Sequence, residues 1–169
     1  MKADLFWIPG PWRGRLAIAA RPRGGDWLDD ETGAWRRAGI DVIVSLLEDD
    51  EAAELDLDDE RLAAENQAIS FISFPIPDRG VPASAEAAVS VIGGIAAQLD
   101  AGKNVLVHCR QGIGRSGLVA SGVLMSSGIK PDEAMQIISS ARGISVPETP
   151  EQRGWIEKLP SRVPVAKET

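Results

Sequence analysis

The sequence predicts an α/β domain: a central, mostly parallel, twisted sheet of about five strands flanked by helices. Three observations carry this. From Asp41 onward, short apolar runs rich in β-branched residues alternate with helical stretches. One run, DVIVSLL at 41–47, is apolar almost without interruption, the pattern of a strand buried on both faces. Another, VLVH at 105–108, leads straight into a glycine-rich turn and a helix of small residues. That turn is therefore expected at the carboxyl end of a strand, where such sheets bind ligands.

The elements follow in order. Residues 5–8 and 16–20 read as short strands on either side of the turn PGPWRG. Asp26 is expected to cap a helix that reaches Ala38 and is ended by Gly39. The acidic stretch 48–68 reads as helical, 69–74 (ISFISF) as a strand and 75–82 (PIPDRGVP) as a proline-rich loop. A helix over 84–101 should stop at Gly102, and the helix after the glycine turn should reach Ser127. Pro131 opens a further helix that ends near Gly143, and a last helix covers 150–158. The 169 residues fit one domain, with 159–169 as a flexible tail.

Composition narrows the function. The formal net charge of −7 argues against a nucleic-acid partner and against docking on anionic membranes. A lone cysteine forbids an internal disulfide and suits a reducing compartment. The N-terminal residues are broken early by Pro9, Gly10 and Pro11, unlike a signal peptide, and no apolar run is long enough to span a bilayer. A cytoplasmic protein is expected.

The chemistry concentrates in HCRQGIGRSG, residues 108–117. No proline interrupts 109–117, so every backbone N–H can donate. Gly112 and Gly114 allow left-handed turns that aim the amides of Arg110, Gln111, Gly112, Ile113 and Gly114 into one concavity. The loop then becomes the first turn of a helix, whose N-terminus favours anions. Arg115 offers a planar fork matched to two phosphate oxygens. A helix N-terminus and a nearby cation favour thiolate over thiol, which makes Cys109 the candidate nucleophile. Ser116 can donate its hydroxyl to that sulfur. A leaving alkoxide or phenoxide needs a proton, and Asp78, on a proline-stiffened loop after a neighbouring strand, is the candidate donor.

His108-Cys109, five residues, then Arg115-Ser116 resembles the signature of protein tyrosine and dual-specificity phosphatases, and PIPD resembles their general-acid loop. PETPEQ, 147–152, is similar to a third element of the small atypical dual-specificity enzymes. WRRAGIDVIVSLLEDDE resembles the N-terminal half of cyclin-dependent-kinase-associated phosphatases. The resemblance implies a single-domain cysteine-phosphatase fold, a phosphorylated protein as substrate, a cysteinyl-phosphate intermediate and no metal or cofactor. It implies that Gln152 places the hydrolytic water. It also implies a shallow pocket, which leaves phosphoserine and phosphothreonine open beside phosphotyrosine.

Other readings stand beside these. Asp78 also fits a turn former, and Gln152 and Glu148 also fit helix caps. His108 reads as a hydrogen-bonded core residue behind Cys109. Arg110 reads equally as a substrate contact and as a solvated side chain. The acidic run 48–60 reads first as a solvated helix face, with docking of basic partners as the alternative. The five tryptophans read mainly as core, with Trp7 and Trp12 as candidates for a groove wall. A phosphoinositide or an RNA 5′-phosphate is the alternative substrate, and a phospho-ligand-binding pseudophosphatase the non-enzymatic alternative. Lipid-specific members of the family it resembles tend to carry lysines inside the loop, and here those positions hold Gln111 and Ile113, with only Arg110 basic.

Overall fold

The computed structural model describes residues 4–159. Strands β1 (Phe6–Ile8) and β2 (Leu16–Ala20) form an antiparallel pair. A 3₁₀ turn at Gly25–Trp27 leads into α1 (Leu28–Arg37), and Gly39, at φ 98°, turns the chain into β3 (Val42–Ser45). Asp26 does not cap this helix. It lies inside the 3₁₀ turn, the cap position is Trp27, and no side chain bonds there. Gly25, at φ 60°, lets the chain coil before the helix starts.

The acidic stretch forms two short helices, α2 (Asp49–Glu54) and α3 (Glu60–Asn66), rather than one. Between them Asp56 takes φ 58° while Leu57 buries against Leu28, Leu47 and Ala63. Strand β4 (Ser70–Ser73) precedes the proline-rich loop. Helix α4 (Ala85–Asp100) begins as expected, with Ser84 Oγ accepting from Ala87 N at 3.1 Å. Then come β5 (Val105–Cys109), α5 (Gly114–Ser126), α6 (Pro131–Arg142) and α7 (Pro150–Lys158). Gly143 closes α6 at φ 83°. Leu159, expected in the flexible tail, is buried in the core, and the rest of that tail lies outside the described residues.

The five strands run in the order β1-β2-β5-β3-β4, parallel except for β1. Strand β5 is central and wholly buried. Its alternation sorts the core into two layers. Val105, Val107 and Cys109 face the layer that contains Ile92, Leu118, Val123 and Ile138. Leu106 faces Trp35, Ile40 and Ala64. Register pairs Ser45 with His108 and with Ser73, so the loops after β5, β3 and β4 emerge side by side. Among the described residues no helix is long and apolar enough to cross a membrane. Of the tryptophans, Trp35 is buried, whereas Trp27 is 49% exposed beneath Arg23.

Candidate active site

Cys109 ends β5, and α5 starts at Gly114, so four residues turn the chain between them. Gly112 takes φ 71°, and a Cβ there would lie 2.5 Å from Ala19 C and 2.7 Å from Ala20 N. Glycine is required for both reasons. Gly114 differs from the expectation: its φ is not left-handed, and it is small because a Cβ would meet Gln152 Oε1 at 2.8 Å.

The loop's carbonyls can be followed one by one. Cys109 O is 3.4 Å from His108 Nδ1, and Arg110 O accepts from Arg21 N. Gln111 O and Gly112 O accept from Arg142, and Ile113 O accepts from Gly117 N. The amides of Gln111, Gly112 and Ile113 donate to nothing among the described residues. Because a trans peptide directs C=O and N–H oppositely, a loop with its carbonyls tied on one side presents its donors on the other.

Arg115 is 2% exposed and gathers the ends of three loops. Its Nη1 donates to Glu51 Oε1 at 2.5 Å, Ile76 O at 3.0 Å and Leu46 O at 3.4 Å. Its Nη2 donates to Glu51 Oε2 at 3.0 Å and Asp78 Oδ1 at 3.1 Å. Burial disfavours the charged guanidinium. The hydrogen bonds it donates to Glu51 and the charges of Cys109, Glu51 and Asp78 outweigh it, and the pKa stands above its ordinary value. Burial likewise disfavours the Glu51 carboxylate. Hydrogen bonds from Arg115 and the Glu48 backbone, with the charges of Arg115 and Arg110, hold it below the usual carboxylate range.

The acidic run is therefore not a uniformly solvated face. Glu51 and Glu60 turn inward and are buried. Glu60 Oε2 meets His108 Nε2 at 2.6 Å, while the imidazole ring lies 5.9 Å from the Trp35 ring. His108 is wholly buried directly behind Cys109, as a core histidine should be. Neither glutamate was identifiable in sequence, because each sits among exposed carboxylates of the same kind. The other residue missed is Arg142.

Cys109, Arg110, Gln111, Gly114, Arg115 and Asp78 border one cavity of about 120 Å³, together with Arg79 and Glu148. Gly112 and Ile113, between Gln111 and Gly114 in the chain, are not among its lining residues. Cys109 Sγ lies 3.3 Å from Ser116 Oγ, within reach of a hydrogen bond. Arg110 stands half-exposed at the rim, 4.0 Å from Glu51. Asp78 comes from the loop after β4. That loop is clasped by the start of α7 and the segment before it: Arg79 Nη1 meets Glu148 Oε1 at 2.7 Å, and Gln152 Nε2 donates to Gly80 O at 3.0 Å. Gln152 Oε1 accepts from the amides of Glu148 and Thr149, and Thr149 Oγ1 accepts from Gln152 N, a capping box at the start of α7. The helix-cap reading of Gln152 is thus the one its bonds display. Among the described residues no group of three His, Cys, Asp or Glu side chains is placed to hold a metal ion.

No curated protein matches this chain. Solved structures do. Kinase associated phosphatase (KAP), with serine in place of its catalytic cysteine, superposes with a TM-score of 0.87 at 19% identity, over 96% of this chain and 97% of that one. Tk-PTP in its active form gives 0.78 at 30% identity, over 96% and 100%. PTPMT1 in complex with PI(5)P gives 0.71 at 15% identity, over 90% and 94%. At such low identity, KAP and PTPMT1 speak for the fold alone. A family model described as Tc-R-P, polymorphic toxin system, DSP-PTPase phosphatase, matches residues 18–129. That stretch runs from β2 past the end of α5 and is most of the sequence, so the chain belongs to the DSP-PTPase phosphatases, within the dual-specificity and tyrosine phosphatase superfamily.

Proposed function

We propose that this protein hydrolyses phosphate monoesters on phosphoproteins through a cysteinyl-phosphate, with Cys109 as nucleophile. The observation that carries the reading is one cavity bordered by Cys109, the buried Arg115 and Asp78, at a loop whose Gln111, Gly112 and Ile113 amides donate to nothing among the described residues. Phosphoryl transfer asks a protein mainly to position groups and stabilise charge spread over equatorial oxygens. The amides of Gln111, Gly112 and Ile113 and the Arg115 guanidinium are donors for those oxygens. Glu51 holds Arg115 flat and charged from behind.

In the first step the Cys109 thiolate forms an S–P bond as the P–O bond to the leaving group breaks. Asp78 gives its proton to the departing oxygen. In the second step a water oxygen bonds phosphorus and the S–P bond breaks. The water's proton goes to Asp78, and inorganic phosphate leaves. Ser116 donates to the thiolate as it departs. Gln152, by tying Gly80 to α7, sets where Asp78 stands.

The substrate reading rests on the small cavity and on the charges around it. Gln111 and Ile113 occupy loop positions where a polyanionic headgroup calls for cations, and the net charge of −7 disfavours RNA and anionic bilayers. Phosphotyrosine, phosphoserine and phosphothreonine peptides should therefore be turned over faster than phosphoinositides or 5′-phosphorylated RNA. The primary test is hydrolysis of p-nitrophenyl phosphate under reducing conditions, abolished in Cys109→Ser. An inactive wild-type protein that still binds phosphate would instead establish a pseudophosphatase.

A further inference from the structure

Arg142 is the last residue of α6 and lies beyond the segment matched by the family model. It does not border the cavity, yet it holds the loop that does. Its Nε donates to Gly112 O at 3.0 Å and its Nη2 to Gln111 O at 3.3 Å. Its guanidinium carbon stands 4.1 Å from the centre of the Phe6 ring, a cation–π contact with β1. Among the described residues no carboxylate pairs with it. Its charge is therefore directed at the two carbonyls and the aromatic face.

Those carbonyls belong to the peptides on either side of Gly112. A glycine at φ 71° is the residue least able to resist rotation of its neighbouring peptide planes. Rotation of either plane would turn a carbonyl oxygen toward the cavity in place of an amide, and there it would repel an anion. Gly112 is needed because β2 lies so close, so the loop cannot stiffen itself with a larger residue. Its rigidity has to come from outside.

We infer that Arg142 is a positioning residue for the phosphate loop. Its fork locks the 111–112 and 112–113 peptides so that the amides of Gly112 and Ile113 face the bound phosphate. This rests on the reading of 109–115 as the phosphate cradle. Phe6 packs against the guanidinium from β1, and α6, carrying Arg142 at its C-terminus, also gains from the cation there.

The single cysteine supplies a binding readout that does not depend on turnover. Iodoacetamide labels Cys109 alone, and inorganic phosphate bound in the cradle should slow that labelling. In Arg142→Met, half-protection should need about tenfold more phosphate, the scale of one lost hydrogen bond to a charged group. For an aryl phosphate, kcat/KM should fall by a similar factor. Arg142→Lys is the deciding variant: it keeps the charge but cannot bridge both carbonyls, so its protection should also weaken several-fold. A lysine variant protected like the wild type would overturn the inference, since charge alone would then suffice. Arg142→Met protected like the wild type would overturn it too, and if that variant does not fold, the lysine variant decides. A wild-type protein that phosphate does not protect removes the cradle itself. Protection without hydrolysis removes only the enzymatic reading and leaves the Arg142 comparison intact.

Discussion

Arg115 shows how much one buried side chain can organise. Taking a guanidinium out of water is costly unless its donors are met, and here two carboxylates and two carbonyls meet them. Asp78 is one of those carboxylates, so in the free protein it rests on Nη2 of the group expected to clamp phosphate. In the proposed mechanism an arriving phosphate replaces this contact and leaves Asp78 beside the leaving oxygen. Asp78→Ala should lower kcat by about 10²–10⁴-fold. The loss should be greater for an alkyl phosphate than for p-nitrophenyl phosphate, because an alkoxide cannot depart without a proton. Steady-state kinetics on the two substrates checks this, and an equal loss on both would remove Asp78 from acid catalysis.

At the scale of elements, two breaks in regular structure create the site. The first separates α2 from α3. Gly25 N donates to Asp56 O, and a Cβ on Gly24 would lie 2.1 Å from Leu55 O, so the turn at 55–57 is packed onto the glycine turn before α1. This break lets Glu51 and Glu60 leave successive helices toward Arg115 and His108. The second is the left-handed residue between β5 and α5. Gly112→Ala would add backbone strain of about 1–2 kcal/mol and a clash with the end of β2. It should lower the thermal midpoint, and it should weaken phosphate protection of Cys109 more than its modest loss of stability explains. Protection at the wild-type phosphate concentration would mean that the loop's shape does not depend on that glycine.

At the scale of the whole molecule, the central pairing β5-β3-β4 decides which loops meet, and it also gives stability a pH dependence. The folded-state pKa of Glu51 lies below its ordinary 4.5, so the folded protein binds that proton less readily than the unfolded chain. The resulting stability is complete above about pH 4.5 and is lost as pH falls through the lower folded value. Asp41, held down against its own burial by the Asn104 backbone and by Arg36, acts in the same direction below 3.8. Glu51→Gln should cost about 3 kcal/mol at neutral pH, because it leaves a buried guanidinium short of its partner. It should also flatten the acid limb of a denaturation series. A limb as steep as the wild type's would assign the acid sensitivity elsewhere.

What the sequence determined by itself is local. The alternating apolar runs predicted the parallel sheet because a strand buried on both faces has little choice of composition. Cys109, Arg115 and Ser116 could be named as candidates because loop and helix start are one contiguous segment. Asp78 could be named as a candidate because its loop has its own proline signature. Only the tertiary structure decided what surrounds them. Glu51 is 64 residues from Arg115, Glu60 48 from His108, and Arg142 30 from Gly112. No short-range pattern marks these three, since a carboxylate or guanidinium reads as solvated until its partner is in place. The partners of Gln152 were hidden in the same way: once α7 packs beside the Asp78 loop, its amide is engaged by the backbone at both ends. Burial creates the demand for a counter-charge, and only the folded chain shows which of many like residues meets it.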